Sequence, residues 1–191
     1  MSNPRRIEGY AIVSDDGMLA DAHGEMPASL KIEGDQVFFE HGLDGVDVVV
    51  HGRYSREQHQ HSPLRRRLVL TRSVASIAPD PSNSLARLWN PAGASLEQAL
   101  DALGVTDPIL GVIGGTQVFG LFLDRYDVFY LSRAPGVRLP GGRPVFPQVP
   151  QLTPEQVLAG HGYQLAERRL IDVDKGVEVM CWRHTGGPDQ L

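Results

Sequence analysis

Cys181 is the single cysteine among 191 residues, so the chain has no intramolecular disulfide and suits a reducing compartment. No apolar run reaches the ~18 residues of a membrane span. The opening "MSNPRRIEGY" lacks the apolar core of a secretory signal, and a cytoplasmic protein without a membrane partner is expected. Basic residues are not in excess: the formal net charge is −5, which argues against a general nucleic-acid binder. No glycine loop is followed by Lys-Ser/Thr, and the six-residue dinucleotide fingerprint is missing. There is no nucleophile elbow. His59 and His61 of "HQH" lack a third ligand nearby, so no metal site is expected.

What is present suits one compact domain over residues 1–191, with a core over about 7–184. Hydrophobic residues make up 41% of the chain and charged ones 21%, enough for a core without staples. Strand-like segments are "IEGYAIVS" (7–14), "GVDVVVHG" (45–52), "RRLVLTRS" (66–73), "SLARLWN", "PILGVIGG" and "YDVFYLSRA". Between them lie helix-like segments: "LKIEGDQVFFEH" (30–41, despite Gly34), a short one opening at Arg53, "SLEQALDAL" (95–103, Ser95 as N-cap) and "TQVFGLFLDR". "LTPEQVLAG" reads as a further helix, with Thr153 as N-cap and Pro154 in its first turn. "YQLAERRLID" and "VEVMCWRH" alternate as a hairpin would, and the tail "TGGPDQL" is expected to fray. The pattern predicts an α/β fold: a mixed, mostly parallel sheet, helices on both faces, and a C-terminal antiparallel hairpin.

Three strand ends carry glycine, arginine or hydroxyl side chains: "HGRYS", "LTRS" and "GGTQV". Gly114-Gly115 lets backbone approach a ligand closely, at the strand end where open α/β sheets bind anions such as a pyrophosphate. A tight turn holding nothing is the alternative.

The order of Met26-Pro27, Asp35, Phe39, "DVVVHGRYS", "RRRLVLTRS", "VIGGTQVFGLFL", "DVFYLSRA" and "VFP" resembles the dihydrofolate reductase superfamily over nearly the whole chain. "SDDGMLAD" and "LPGGRPVFP" are similar to the reductase domain of the riboflavin-biosynthesis deaminase/reductase. "HGRYS", Asp35 and "YLSRA" look more like dihydrofolate reductase itself.

The resemblance implies NADPH as cofactor. Gly52, Arg53, Tyr54 and Ser55 would contact it, Arg53 near the adenosine 2′-phosphate with Thr71 and Arg72 assisting. Gly114, Gly115, Thr116, Gln117 and Val118 would pass over the pyrophosphate. Ala11 and the loop around Gly17, Met18 and Leu19 would lie along the nicotinamide, the loop as a lid. It also implies a heterocyclic substrate bound by the Asp35 carboxylate, with Ser132 as its hydroxyl partner, Phe39 packing on the ring and Arg65 receiving a substrate carboxylate. An acid in an apolar pocket has a raised pKa, which suits a proton-supplying role. Glu33 is a second candidate for that acid.

The chain departs from the pattern at Ala28, where a bulky aromatic is usual, at Thr116 for a third glycine, and at Phe119 for a tyrosine. The expected activity is an NADPH-dependent reductase acting on a pterin, pyrimidine or related heterocycle, as a monomer or homodimer. A true dihydrofolate reductase and a stand-alone riboflavin-pathway reductase are narrower alternatives. A non-catalytic nucleotide-binding protein is the alternative from another class.

Overall fold

The computed structural model describes residues 2–185; apart from Thr185, the tail expected to fray lies outside them. Fifteen helices and strands follow one another: β1 (Arg6–Val13), β2 (Met18–Ala20), α1 (Glu33–Asp44), β3 (Val48–Gly52), β4 (Arg66–Leu70), β5 (Ile77–Asp80), β6 (Asn83–Trp89) and α2 (Leu96–Leu103). Then come β7 (Ile109–Val112), α3 (Thr116–Leu121), β8 (Val128–Arg133), β9 (Arg143–Pro144), α4 (Pro154–Gly160), β10 (Tyr163–Asp172) and β11 (Val177–His184).

Nine strands form one sheet in the order β10-β11-β8-β1-β7-β3-β4-β6-β5. The centre is parallel, from β8 through β1, β7, β3 and β4 to β6. The antiparallel hairpin β10–β11 closes one edge against β8, and antiparallel β5 closes the other. Buried valine runs such as Val48, Val49 and Val50 occupy the centre, as strands covered on both faces require. One face is packed by α2, α3 and α4, whose Leu100, Phe119 and Leu158 join the largest core cluster. The other is covered by α1, through Leu43 against Tyr10 and Val49.

Ser95 and Thr153 cap α2 and α4 as expected, each in a reciprocal capping box. Helix α1 starts at Glu33 rather than Leu30, which lies in a separate 3-10 turn, Ala28–Leu30. Its glycines serve packing. A Cβ on Gly34 would come within 2.1 Å of the Ile171 carbonyl oxygen, and one on Gly42 within 2.6 Å of the Tyr10 ring.

Three further expectations are corrected. No helix opens at Arg53; residues 53–61 form turns and coil, leading to a 3-10 turn at Ser62–Leu64. The segment is held by side-chain ion pairs rather than by a helical apolar stripe. Helix α3 stops after six residues at Leu121, because the chain turns at Phe122 to lead Tyr126 into the core below β8. The loop after β1 contains β2, paired with β9.

Candidate active site

Strands β3 and β7 run in parallel, with Val50 opposite Val112, so their carboxyl ends bring Gly52 and Gly114 together. The Gly52 N–H donates to the Gly114 carbonyl at 2.8 Å, and the Gly52 carbonyl accepts from the Ser55 N–H at 3.1 Å. The His51 Nδ1 lies 2.8 Å from that same carbonyl. A carbonyl only accepts, so Nδ1 carries the hydrogen. Gly114 has φ +103°, and a Cβ on it would come within 2.8 Å of the Phe119 ring. The peptide joining it to Gly115 is cis. At Gly115 φ is −79°, open to any residue, but a Cβ there would stand 3.3 Å from the Ser55 Oγ. Glycine at Gly115 keeps the space between the two strand ends clear.

Arg53 and Tyr54 are exposed beyond Gly52, with the guanidinium 5.8 Å from the ring centroid. Arg72 is also exposed, just past the end of the adjacent β4. Thr71 is buried, its N–H bonded to the Trp89 carbonyl at 2.9 Å and its Oγ1 2.9 Å from the Ser73 Oγ. Val118 packs toward Gly52 and Gln117 is exposed. The Thr116 hydroxyl donates to the Pro144 carbonyl at 2.5 Å, tying the start of α3 to β9.

Ala11 lies half-buried in β1, beside Leu131. The loop expected to act as a lid is pinned. Met18 is buried in the main core. The Gly17 carbonyl accepts from the Val145 N–H at 3.0 Å, and Asp16 accepts from the Leu139 N–H at 3.0 Å. Leu19 packs partly buried on the same core.

On the α1 face, Asp35 is buried, whereas Glu33 is exposed. Burial pushes the Asp35 carboxyl up to about 6, and the nearby Ser132 hydroxyl partly offsets that rise. Ser132 is buried in β8, level with Ile12 of β1. Phe39, one turn along α1, is half-buried, edge-on to Tyr10 and with its centroid 5.6 Å from the His59 ring.

Arg65 lies elsewhere in kind. It is buried, with Nη1 2.8 Å from Glu57 Oε1 and Nη2 2.7 Å from Asp44 Oδ1. Fully buried Arg67 donates to both Glu57 oxygens at 2.6 Å. Burial alone would raise the Glu57 carboxyl, but the two guanidinium groups more than offset this and hold it at about 2. Nothing in the sequence singles out Glu57: "REQHQH" offers several polar residues and no period that marks one as buried. Two open depressions of about 310 and 300 Å³ lie away from these strand ends, beside Arg125 and beside Arg168 respectively. Among the described residues, no group of three or more His, Cys, Asp or Glu can hold a metal ion, and no helix is long and apolar enough to cross a membrane.

No protein-family model and no curated protein matches the sequence. Solved structures do, and they share its fold, which is dihydrofolate reductase-like. A candidate riboflavin-biosynthesis protein of Shewanella sp. PV-4 superposes with a TM-score of 0.63 at 18% identity, over 93% of this chain and 98% of that one. Dihydrofolate reductase of Enterococcus faecalis, complexed with NADP(H) and the ligand RAB-propyl, gives a TM-score of 0.65 at 15% identity, over 97% and 99%. The Thermotoga maritima deaminase/5-amino-6-(5-phosphoribosylamino)uracil reductase gives 0.63 at 16%, over 95% of this chain. The present chain spans only 56% of that bifunctional protein.

Proposed function

We propose that the chain is an NADPH-dependent reductase that transfers hydride to a C=N or related bond of a pterin, pyrimidine or similar heterocycle. The observation that carries this reading is the pairing of two features on one sheet. A glycine-lined gap lies between the ends of β3 and β7, and a buried acid beside a buried hydroxyl lies under α1. We read the first as the dinucleotide site. A pyrophosphate would lie along the backbone at Gly52, Gly114 and Gly115, where no side chain stands in its way, while Arg53, Tyr54 and Arg72 offer exposed cationic and aromatic surface at the adjacent strand ends. Ser55, Thr71, Thr116, Gln117 and Val118 would border it, and Ala11 with Gly17, Met18 and Leu19 would flank its nicotinamide end.

NADPH, when bound, supplies the hydride; the protein's part is orientation and the proton. Asp35 keeps its proton to about pH 6 because it is buried. In its neutral form it donates a hydrogen bond to a ring nitrogen, and the charged form holds a protonated ring. Both arrangements need the shared proton, which raises the electrophilicity of the neighbouring C=N carbon and is lost as pH rises. Ser132 orients the carboxyl, and Phe39 supplies an apolar wall.

The first test is equilibrium binding: titration of tryptophan fluorescence with NADPH and with NADH, in wild type and Arg53→Ala. Saturable NADPH binding that weakens about tenfold, with little change for NADH, supports the reading. No saturable binding of either nucleotide rejects it. The engagement of Arg65 by Glu57 and Asp44 favours a general heterocycle reductase over a true dihydrofolate reductase.

A further inference from the structure

The sheet order β8-β1-β7-β3 puts the glycine-lined gap on one side of β1. Ser132 of β8, with Asp35 beside it, lies on the other side. At about 4.8 Å per strand, the end of β7 stands roughly 10 Å from that of β8. Resting on the reductase reading, a dinucleotide lodged at the gap brings its reacting ring toward Asp35 only by crossing the carboxyl end of β1. The loop over residues 14–20 leaves β1 at that end.

That loop is held from both sides. The Ser14 N–H donates to the Met18 carbonyl, and the Ser14 Oγ accepts from the Met18 N–H, each at 3.0 Å. Strand β2 pairs with β9 through Met18 opposite Pro144 and Ala20 opposite Arg143. Next along the chain, the Val145 N–H donates to the Gly17 carbonyl at 3.0 Å. The same β9 receives α3: the Thr116 Oγ1 donates to the Pro144 carbonyl at 2.5 Å. Among the described residues this is the one side-chain hydrogen bond between α3 and β9. Thr116 directly follows the Gly114-Gly115 pair, so a single hydroxyl connects the glycine-lined gap to the loop, with β9 between them.

We propose that Thr116 is a positioning residue for hydride transfer. Its hydroxyl, acting through β9, sets Gly17, Met18 and Leu19 against the nicotinamide end of a cofactor whose pyrophosphate lies at the adjacent glycines. Without that hydroxyl the Pro144 carbonyl loses its donor and the loop is no longer tied to α3, while the backbone at Gly52, Gly114 and Gly115 keeps its shape.

The test is calorimetric binding of two ligands that differ by one ring: NADPH and 2′-phospho-ADP-ribose, which keeps the pyrophosphate and lacks the nicotinamide. In wild type NADPH should bind about tenfold tighter or more. Thr116→Val keeps the β-branched shape and removes the hydroxyl. It should cut that advantage about fivefold, with less than about a twofold change for 2′-phospho-ADP-ribose. Thr116→Ser should retain the wild-type advantage. Gly142→Ala strains the brace independently, because its Cβ would come within 2.3 Å of the Ala20 carbonyl oxygen, and it should show the same selective loss. An advantage left unchanged in either variant overturns the proposal, as does equal weakening of the two ligands or a wild type with no such advantage. A wild type that binds neither ligand rejects the reductase reading itself.

Discussion

The main-chain N–H of Gly52 and the carbonyl of Gly114 are joined at 2.8 Å, which locks the ends of β3 and β7 into a single unit. Two side chains serve that unit: His51 donates to the Gly52 carbonyl, and Phe119 of α3 packs where a Gly114 side chain would be. The two glycine loops therefore act as one backbone surface facing whatever lies between them.

Gly115→Ala isolates that surface from stability. Its φ is ordinary and the added methyl meets only Ser55 Oγ at 3.3 Å, so the melting temperature should move by no more than about 4 °C. NADPH affinity should fall about tenfold, because the methyl occupies the space meant for a phosphate. Calorimetry on the variant, with Ser55→Ala added to relieve the contact, checks both expectations. An unchanged affinity would mean the gap holds nothing.

Asp35 ties the stability of the fold to pH. Its native carboxyl titrates at about 6 against 3.8 in the unfolded chain, so the folded state binds more protons between those values. This group's contribution to stability is thus fully present below about pH 4 and is lost as pH rises through about 6. Asp35→Asn should remove that loss, raising stability at about pH 8 by up to roughly 3 kcal/mol, since each tenfold in proton affinity is about 1.4 kcal/mol. Denaturation of both proteins across pH reads the difference. A wild-type protein whose relative stability is flat across this window would contradict the burial argument.

Glu57→Gln leaves Arg65 and Arg67 buried without their carboxylate. Breaking one partner of such a cluster costs about 3–5 kcal/mol, and the 53–62 segment leading back to Ser55 should loosen. Chemical denaturation should show the loss, and the NADPH dissociation constant should rise while the heterocycle's changes less. Equal weakening of both ligands would argue that the cluster supports the whole fold rather than the nucleotide loop.

In an exposed helix Gly→Ala stabilises by roughly 0.5–1 kcal/mol. At Gly34 the sign should reverse, because the new Cβ would sit 2.1 Å from the Ile171 carbonyl oxygen and the α1 start would have to lift off β10. A loss of about 1–3 kcal/mol is expected from denaturant melts, together with a lower apparent pKa at Asp35 as water reaches it. An alanine variant more stable than wild type would show that α1 is not seated as described.

Much of this architecture could be read from patterns one element long. The continuous apolar runs named the central parallel strands, the Ser95 and Thr153 caps named two helix starts, and the glycine pair marked a strand end. Other features depend on contacts distant in sequence. Gly34 looks like a helix breaker until Ile171 is seen against it, and β5, with Pro79 and partly exposed residues, has no alternation to betray it. The choice between Glu33 and Asp35 turned on which way the first helical turn faces, which neighbouring acids in "EGDQ" do not reveal. Arg65, expected to receive a substrate carboxylate, stands in a run of three arginines that the sequence does not tell apart, yet burial beside Glu57 gives two of them a different setting from Arg66.

The most direct measurement is NADPH consumption by the purified protein with 7,8-dihydropterin, in wild type and Asp35→Asn, followed across pH. Turnover in wild type is expected to decline as pH rises through about 6, where Asp35 loses its proton, and to be largely lost in the variant. Turnover that is equal in the two proteins at every pH would contradict the assignment of Asp35 and, with it, the account of the site.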